Sequence, residues 1–467
     1  MSSFNTDLLN TQLDPTIFKA YDIRGIVDKN LTTQAAYTIG LAFGSEALVQ
    51  KQTTVVVARD GRLSGPSLID ALSQGLRDSG IDVINIGRVP TPVLYFSTFH
   101  LNTGTGIMVT GSHNPPDYNG LKMVMGGVTL SGEAIQELRK RIEAKNFSSG
   151  AGAYEEQDVV DAYLKTITDD IKLNNPPKIV VDCGNGVAGE LAPRLYRELG
   201  CEVTELFCEI DGNFPNHHPD PSQPDTLVTL IDTVKQKKAD VGFGFDGDGD
   251  RLGVVSPSGE IIWPDRQMIL YSQDILARAP GSEIIFDIKC SRNLDQAISE
   301  AGGKPTMWKT GHSFIKAKLK ESGAPLAGEM SGHIFFKERW FGFDDALYTG
   351  ARMLEILSKD ERHSLDIFNS LPNMVNTPEL KVHMNEGEHH EFMLELQQTA
   401  EFDDARVTKI DGLRVDFDNG WGLVRASNTT PCLVIRFEGE DESAMNVIQE
   451  RFRDLFKRLN EDLILPF

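Results

Sequence analysis

One pattern occurs three times along the chain and limits what it can fold into. An apolar strand runs into a polar loop, an amphipathic helix and a glycine follow, and a second strand completes the unit. The copies span residues 53–87, 178–207 and 283–311. Strands such as VVVA and IIF are continuously apolar, which is typical of sheets buried on both faces. Each copy predicts a right-handed βαβ unit, and three copies predict three related α/β domains.

The C-terminal part of the chain departs from this pattern from about residue 373 onward. Short strands, among them LKVHM, LRVDF and CLVIRF, precede a charged terminal helix. The predicted fold class is therefore α/β, with three similar mixed-sheet α/β domains and a smaller C-terminal α+β domain. At 467 residues the chain has room for about three or four domains. The expected boundaries are 1–157, 158–260, 261–372 and 373–467.

Composition excludes several classes of function. A formal net charge of −22 argues against binding nucleic acid or an anionic membrane surface. No apolar run approaches the length of a membrane helix, and the start MSSFNTDLLN lacks the features of a secretory signal. The five cysteines include no C-x-x-C pair, which favours a reduced, cytoplasmic protein. Because the overall field repels phosphate esters, any phosphate site has to be a local cluster of basic groups and backbone N–H groups.

The segment GNGVAG, residues 184–189, fits the dinucleotide-binding fingerprint after a strand and before a helix. Glu205, at the end of the next strand, stands near where a ribose-binding acid is expected. The alternative is a tight strand-to-helix turn in which glycines permit close packing. The rest of the chain supplies carboxylates and phosphate-binding groups, which favours the turn.

An acidic segment further along the chain is a more specific indication of function than this glycine-rich segment. In VGFGFDGDGDRLGVV an apolar strand ends in Asp246, Asp248 and Asp250, which are separated by single glycines. Three carboxylates this close repel one another unless a cation holds them. Hard oxygen ligands at this spacing suit Mg²⁺, whereas a solvated acidic turn is the alternative.

Two segments carry polar groups suited to a sugar phosphate. In GEMSGH, Glu329, Ser331 and His333 alternate and so face the same way in an extended segment, where a carboxylate and a hydroxyl can hold vicinal sugar hydroxyls. A polar strand edge is the alternative. In RASNTTP an arginine and a run of hydroxyl and amide side chains stand between two apolar strands, which predicts a phosphate clamp or, alternatively, a hydrogen-bonded turn. Its members are Arg425, Ser427, Asn428 and Thr429.

The loop TGSHNPPDYNGLK, residues 110–122, holds Ser112 between a glycine and a histidine. Glycine, asparagine and proline are what any rigid turn uses, so the loop alone leaves open whether Ser112 is a nucleophile. Three aspartates and one Mg²⁺ sum to −1, and a phosphorylated serine would add about −1.5 to −2. Such a site needs cations beside it, and the candidates are Arg251, Lys122 and His113.

Taken together, TGSHNPPDYNGLK, DGDGDR, GEMSGH and RASNTTP, in this order, resemble the α-D-phosphohexomutase superfamily, and within it the bacterial bifunctional phosphomannomutase/phosphoglucomutase branch. The resemblance spans essentially the whole chain, including KAYDIRG near the start. It implies four domains around a central active-site cleft, a monomer, and an enzyme that interconverts hexose 1-phosphate and hexose 6-phosphate of mannose and glucose. It also implies Mg²⁺ as cofactor and a hexose 1,6-bisphosphate as intermediate and activator.

The resemblance implies a role for each matching residue. Ser112 carries the phosphoryl group and contacts the Mg²⁺ held by the three aspartates, while Glu329 and Ser331 hold the sugar hydroxyls. The clamp residues named above bind the non-reacting phosphate. Four residues match positions that line the sugar and phosphate sites, namely Tyr21, Lys289, His312 and His333. Three match positions tied to proton transfer or orientation, namely Arg24, Lys122 and His312.

Three other functions stay open at this point. A phosphoglucosamine mutase shares the reaction type, although Met330 and TGSHNP resemble the glucose and mannose enzymes more. A sugar-phosphate-binding protein without turnover shares the site, and a dinucleotide-binding oxidoreductase accounts for GNGVAG alone.

Overall fold

The computed structural model describes residues 12–385, 387–427 and 431–467. Each of the three repeats forms a sheet that contains the same four-strand unit. Its first three strands are parallel, its fourth strand is antiparallel to the third, and the spatial order is fourth, third, first, second. The prediction of three similar α/β domains is confirmed.

The first sheet has seven strands, because a strand before the unit and two after it are added to its edges. Its order is β1-β5-β4-β2-β3-β7, with β6 paired to β5. In chain order the elements are β1 (Ile23–Ile26), α1 (Thr33–Val49), β2 (Thr54–Arg59), α2 (Gly65–Asp78), β3 (Asp82–Arg88), α3 (Thr91–His100), β4 (Gly106–Val109), β5 (Tyr118–Met125), β6 (Val128–Thr129), α4 (Glu133–Glu143) and β7 (Tyr154–Glu156).

The second sheet has five strands in the order β12-β11-β10-β8-β9. The glycines of its central strand VGFGF let a helix pack closely, since a Cβ on Gly242 would lie 2.5 Å from Val234 Cγ2. In chain order the elements are α5 (Val160–Asp170), β8 (Lys178–Asp182), α6 (Ala192–Glu198), β9 (Glu202–Leu206), α7 (Val228–Lys237), β10 (Val241–Phe245), β11 (Leu252–Val255) and β12 (Ile261–Ile262).

The third sheet is the four-strand unit alone, in the order β14-β13-β15-β16. The helix after its first strand, Arg292–Glu300, is capped by Ser291, whose hydroxyl accepts a hydrogen bond from the N–H of Asn293. In chain order the elements are α8 (Pro264–Arg278), β13 (Glu283–Asp287), α9 (Arg292–Glu300), β14 (Lys304–Trp308), α10 (His312–Ser322), β15 (Leu326–Gly328), β16 (Ile334–Phe336), α11 (Ala346–Lys359) and α12 (Ser364–Asn369).

The C-terminal domain differs in topology, and the prediction of a smaller α+β domain is confirmed. All strand pairs of its sheet are antiparallel among the described residues, in the order β17-β22-β21-β20-β19 with β18 paired to β22. In chain order the elements are β17 (Val375–Asn376), β18 (Leu380–His383), α13 (Glu388–Thr399), β19 (Arg406–Thr408), β20 (Leu413–Phe417), β21 (Gly420–Ala426), β22 (Cys432–Gly439) and α14 (Glu442–Leu459).

The domain boundaries given by the sequence remain a prediction, with one adjustment. Ile261–Ile262 pairs with β11 of the second sheet. We therefore propose that the second domain extends to residue 262 rather than 260. Within the described part of the chain, no helix is both long and apolar enough to cross a membrane.

The four motifs occupy equivalent places in this architecture. Each includes the connection between two antiparallel neighbours, which in the three repeats are the third and fourth strands of the unit, and some motif residues lie on the flanking strands. The sequence predicted chemistry at the carboxyl ends of strands. In each of the three repeats, the structure places the motif at the carboxyl end of the third strand of the four-strand unit. The connections are residues 110–117, 246–251, 329–333 and 427–431.

Candidate active site

Ser112 lies in a constrained loop directly beside the acidic motif. Its φ is 50°, a left-handed conformation that is uncommon outside glycine, and its residue surface is 3% exposed. The backbone N–H of Ser112 donates to Thr110 Oγ1 at 2.8 Å, and its Oγ lies 3.2 Å from Asp246 Oδ2 and 3.2 Å from His113 Nδ1. Strained backbone of this kind persists where surrounding contacts over-determine it.

Those surrounding contacts come from Arg62, which the sequence reasoning missed. The Arg62 side chain is fully buried and forms an ion pair with Asp60 at 3.2 Å. The Arg62 guanidinium packs against Gly111, because a Cβ on Gly111 would lie 2.4 Å from Cζ of Arg62. The residue fixes the Ser112 loop by donating to four backbone carbonyls, those of Ser112 (2.8 Å), Asn114 (2.6 Å), Pro115 (2.5 Å) and Tyr118 (2.9 Å).

Replacing Arg62 with lysine tests this arrangement. A lysine has no planar fork and cannot reach four carbonyls, so buried acceptors lose their partners. We expect the free energy of unfolding to fall by about 2–4 kcal/mol in a denaturant titration, and kcat to fall at least about tenfold as Ser112 loses its fixed position. Arg59→Lys, at the half-buried end of β2, is the matched control. Wild-type stability and turnover in Arg62→Lys would contradict this role.

The three aspartates are fully buried and converge. Each offers an oxygen atom within 4.8 Å of the others, the spacing of a metal-binding group. Burial, followed by the charges of Asp250 and Asp248, raises the pKa of Asp246 to about 8. Asp248 Oδ1 is buried and has no hydrogen-bond partner among the described residues. A buried, unsatisfied carboxylate oxygen in a ring of carboxylates fits a bound divalent cation.

Glycine lets this acidic loop approach Ser112. A Cβ on Gly247 would lie 2.3 Å from the Ser112 carbonyl oxygen, and one on Gly186 would lie 3.1 Å from the Cα of Gly247. The backbone N–H of Val187 also donates to the Gly247 carbonyl at 3.1 Å. GNGVAG is therefore a close-packed turn behind the acidic loop. Glu205 pairs with Arg197 at 2.5 Å on the surface.

Lys122 supplies a cation to the same carboxylates. Its Nζ donates to Asp248 Oδ2 at 2.7 Å and forms a second ion pair with Asp250. Burial alone would lower the pKa of Lys122, but these two carboxylates raise it well above its usual range. Thr91, at the start of α3, donates to Asp248 Oδ2 at 2.6 Å and was not predicted.

Arg251 is held between two carboxylates. Its Nε donates to Asp246 Oδ2 at 3.0 Å, and its Nη1 lies 3.3 Å from Oδ1 of Asp220, a residue the sequence reasoning missed. Its Nη2 is buried without a hydrogen-bond partner among the described residues. Burial and the nearby Arg251 charge lower the pKa of His113 well below its usual range, so this imidazole is neutral at pH 7.

The third loop joins this cluster through His333. Its Nε2 lies 3.4 Å from Asp250 Oδ1, and its Nδ1 lies 3.1 Å from Glu329 Oε2 and 2.9 Å from Ser331 Oγ. Burial alone would lower the pKa of His333, but Asp250 and Glu329 raise it to about 9. The structure thus brings the acidic loop and the predicted sugar loop into one charged cluster.

The contacts continue to the C-terminal domain. The Glu329 carboxylate accepts a short hydrogen bond from the backbone N–H of Gly311. The backbone carbonyl of Thr310 accepts a hydrogen bond from the hydroxyl of Tyr21 at 3.0 Å. The N–H of Thr310 donates to Asp411 Oδ2 at 3.0 Å, and the same oxygen accepts from Arg425 Nε at 3.1 Å. A chain of contacts therefore links the three repeats to the predicted phosphate clamp.

The remaining predicted residues are placed as follows. Lys289 lies two residues after the end of β13 and pairs with Glu379 at 2.6 Å, a partner that was not predicted. Arg24 lies on β1 and pairs with Asp22 at 2.5 Å. His312 begins α10, with its ring 5.6 Å from that of His333. Ser427 is buried after β21. Two predicted clamp residues, Asn428 and Thr429, lie outside the described residues.

Four family models match the chain in sequence order. They are described as phosphoglucomutase/phosphomannomutase alpha/beta/alpha domain I (residues 15–149), domain II (161–259), domain III (263–375) and C-terminal domain (379–455). The chain belongs to the phosphoglucomutase/phosphomannomutase family. The resemblance seen in the sequence to the phosphohexomutase superfamily is confirmed.

Individual relatives agree with the family models. The chain is 54% identical to the phosphomannomutase/phosphoglucomutase of Pseudomonas aeruginosa over 455 residues, which are 97% of this chain and 98% of the relative. It is 54% identical to a phosphoglucomutase of Neisseria gonorrhoeae, covering 96% of this chain and 98% of the relative. A crystal structure of a phosphoglucomutase/phosphomannomutase family protein from Burkholderia thailandensis has a TM-score of 0.93 at 53% identity, covering 97% and 100% of the two chains.

Proposed function

We propose that this family member interconverts hexose 1-phosphate and hexose 6-phosphate, with glucose and mannose as the sugars. Phosphorylated Ser112 donates its phosphoryl group to the free sugar hydroxyl, which gives a hexose 1,6-bisphosphate. The bisphosphate reverses its orientation, and its other phosphoryl group returns to Ser112. The Ser112 Oγ therefore forms one O–P bond for each that it gives up.

The observation that carries this proposal is the position of Ser112 Oγ, 3.2 Å from Asp246 Oδ2, an oxygen that also accepts a hydrogen bond from Arg251 Nε. Two cations pair with the acidic loop, Arg251 and Lys122, and each is held by two carboxylates and stays charged. Phosphoryl transfer needs little covalent chemistry from the protein beyond positioning and charge stabilisation. This loop provides both.

The acidic loop fits the metal that the family implies. Asp246, Asp248 and Asp250 would hold Mg²⁺ together with an oxygen of the group on Ser112, and the ion would stabilise charge on the transferring phosphoryl group. Arg251 Nη2, buried and without a hydrogen-bond partner among the described residues, is a donor available to the same group.

Sugar and phosphate would be held by the other two loops. The Glu329 carboxylate and Ser331 hydroxyl would bind adjacent sugar hydroxyls, and His333, cationic at neutral pH, lies between them and the acidic loop.

Arg425 would bind the phosphate that is not transferred. Because either end of a 1,6-bisphosphate carries a phosphate, one clamp can serve both orientations of the intermediate. Arg24 and His312 would orient the reacting hydroxyl, with Tyr21 and Lys289 along the sugar and phosphate.

The reaction is tested by assaying glucose 1-phosphate, mannose 1-phosphate and glucosamine 1-phosphate with Mg²⁺ and catalytic glucose 1,6-bisphosphate. We expect turnover of the first two and much slower turnover of the third. Binding of sugar phosphate without turnover would contradict the proposal, and a preference for glucosamine 1-phosphate would contradict the assignment of the sugar.

Replacing Arg425 with alanine tests the clamp. Arg425 is buried and is oriented by Asp411, so its loss removes a charge-assisted contact to phosphate in both ground and transition states. We expect KM for glucose 1-phosphate to rise about 10- to 100-fold, with a smaller change in kcat, in steady-state kinetics. Arg451→Ala is the matched control, because Arg451 pairs with Asp404 at 2.7 Å and not with a site residue. An unchanged KM in Arg425→Ala would remove the clamp assignment.

A further inference from the structure

A buried carboxylate lies one contact beyond the groups described so far. Asp344 stands between β16 and α11, has no exposed surface, and has its backbone paired with Phe335 in an antiparallel bridge. Its Oδ1 accepts a hydrogen bond from Lys316 Nζ at 2.9 Å. Its Oδ2 has no hydrogen-bond partner among the described residues and lies 3.7 Å from His312 Nδ1. An unpaired oxygen of this kind is costly to bury and favours any arrangement that satisfies it.

His312 Nδ1 is the group that matches it. This nitrogen is also buried and has no hydrogen-bond partner within the described part of the chain. His312 begins α10 and Lys316 follows four residues later, so the two side chains share a helix face towards Asp344. A small rotation of the imidazole would shorten the 3.7 Å distance between His312 Nδ1 and Asp344 Oδ2 to a hydrogen bond. This bond would satisfy both atoms, provided that Nδ1 carries the proton.

The surroundings keep the His312 ring neutral, so that only one of its nitrogens is protonated. Burial and then the positive charges of Lys316, Lys122 and His333 lower its pKa well below its usual range, against the opposing charge of Asp250. The position at a helix N-terminus acts in the same direction. Lys316, which also lies 4.1 Å from the ring centre of Tyr95, holds Oδ1 and prevents the Asp344 carboxylate from turning.

We propose that Asp344 is a positioning residue, which fixes His312 with its proton on Nδ1 and so leaves Nε2 as an acceptor for a hydroxyl of the sugar phosphate. The inference rests on the proposed function only for the identity of that hydroxyl. The pairing of a carboxylate with an imidazole is a general way of selecting a tautomer. Asp344 offers an oxygen within 4.8 Å of ligand atoms of Asp250 and His333, but no hydrogen bond joins it to the acidic loop among the described residues.

The substitution Asp344→Asn tests the tautomer directly. Lys316 has only hydrogens to donate, so the amide oxygen introduced by the change turns towards it, and the amide NH₂ faces His312. Nδ1 then has to accept, which moves the His312 proton to Nε2. The measurement uses ¹⁵N-histidine-labelled protein, with the His312 signals assigned from a His312→Gln sample. In Asp344→Asn we expect Nδ1 to show the ¹⁵N shift of an unprotonated ring nitrogen and Nε2 that of a protonated one, the reverse of the wild type. We also expect kcat to fall about 10- to 100-fold with little change in KM.

A second variant separates this role from simple support of the fold. Adding Lys316→Met to Asp344→Asn frees the amide to turn its oxygen towards His312. We expect the Nδ1–H tautomer and part of kcat to return, although the double variant has lost more native contacts. Identical tautomer and kcat in the single and double variants would overturn the proposal.

A wild-type spectrum with the proton of His312 on Nε2 would also overturn the proposal. That spectrum needs no variant, so it decides the question even if Asp344→Asn fails to fold. It does not depend on turnover, and the wild-type sugar-phosphate assay therefore reports separately on the proposed function.

Discussion

Replacing Ser112 with alanine is expected to lower kcat by at least about 100-fold with glucose 1-phosphate as substrate. Without Oγ the protein has no atom from which to donate a phosphoryl group to the sugar, and none to accept one back from the reversed bisphosphate. The loop itself should survive the change, because Arg62 and Thr110 hold it through the backbone of Ser112 and its neighbours. The loss should therefore be in turnover, measured by coupled initial rates with saturating glucose 1,6-bisphosphate.

The matched control for this change is Ser67→Ala, on the exposed face of α2. It removes a hydroxyl from a helix of the same domain without touching the loop. Near-wild-type kcat is expected for Ser67→Ala. Equal kcat in Ser112→Ala and wild type would contradict the covalent role, whatever the metal dependence of the enzyme.

Replacing Asp248 with asparagine is expected to abolish most of the Mg²⁺-dependent activity, with a fall in kcat of about 100-fold or more. The change removes one of three convergent negative charges and leaves Lys122 with Asp250 as its remaining carboxylate partner among those described above. Rates across a Mg²⁺ titration should show both a lower maximum and a weaker apparent affinity. Direct Mg²⁺ titration by calorimetry measures the affinity without turnover.

Asp232→Asn, at an exposed position of α7, is the matched control for loss of one negative charge from the same domain. Its Mg²⁺ dependence should equal that of the wild type. If Asp248→Asn kept the wild-type Mg²⁺ affinity, the acidic loop would not be the metal site, and the buried oxygens of the loop would need another explanation.

The βαβ part of each domain was predictable because its signals are local. Apolar strands such as VVVA, an amphipathic helix and a terminating glycine follow one another within about 35 residues of sequence, and the strands at 54–59 and 82–88 form as expected. The antiparallel fourth strand was not predictable in the same way. Its pairing to the third strand depends on contacts across the sheet, and Tyr118–Met125 carries no simple alternation.

The candidate site was predictable where a short segment concentrates unusual chemistry, as DGDGD does. It was not predictable where one residue acts at a distance. Arg62 holds the carbonyls of a loop about fifty positions away, and Asp220 reaches Arg251 from a separate loop. Neither has a motif of its own. The one available signal was that ARDGR stands at the carboxyl end of a buried strand, where site residues collect.

The central claim is that Ser112 carries the phosphoryl group, and phosphoryl labelling with site mapping tests it most directly. Purified protein is incubated with Mg²⁺ and glucose 1,6-bisphosphate labelled with ³²P, then digested, and the labelled peptide is sequenced by mass spectrometry. The account predicts up to one phosphoryl group per chain, located on Ser112, and its loss on addition of unlabelled glucose 6-phosphate. Label on another residue, or active protein that takes up none, would contradict it.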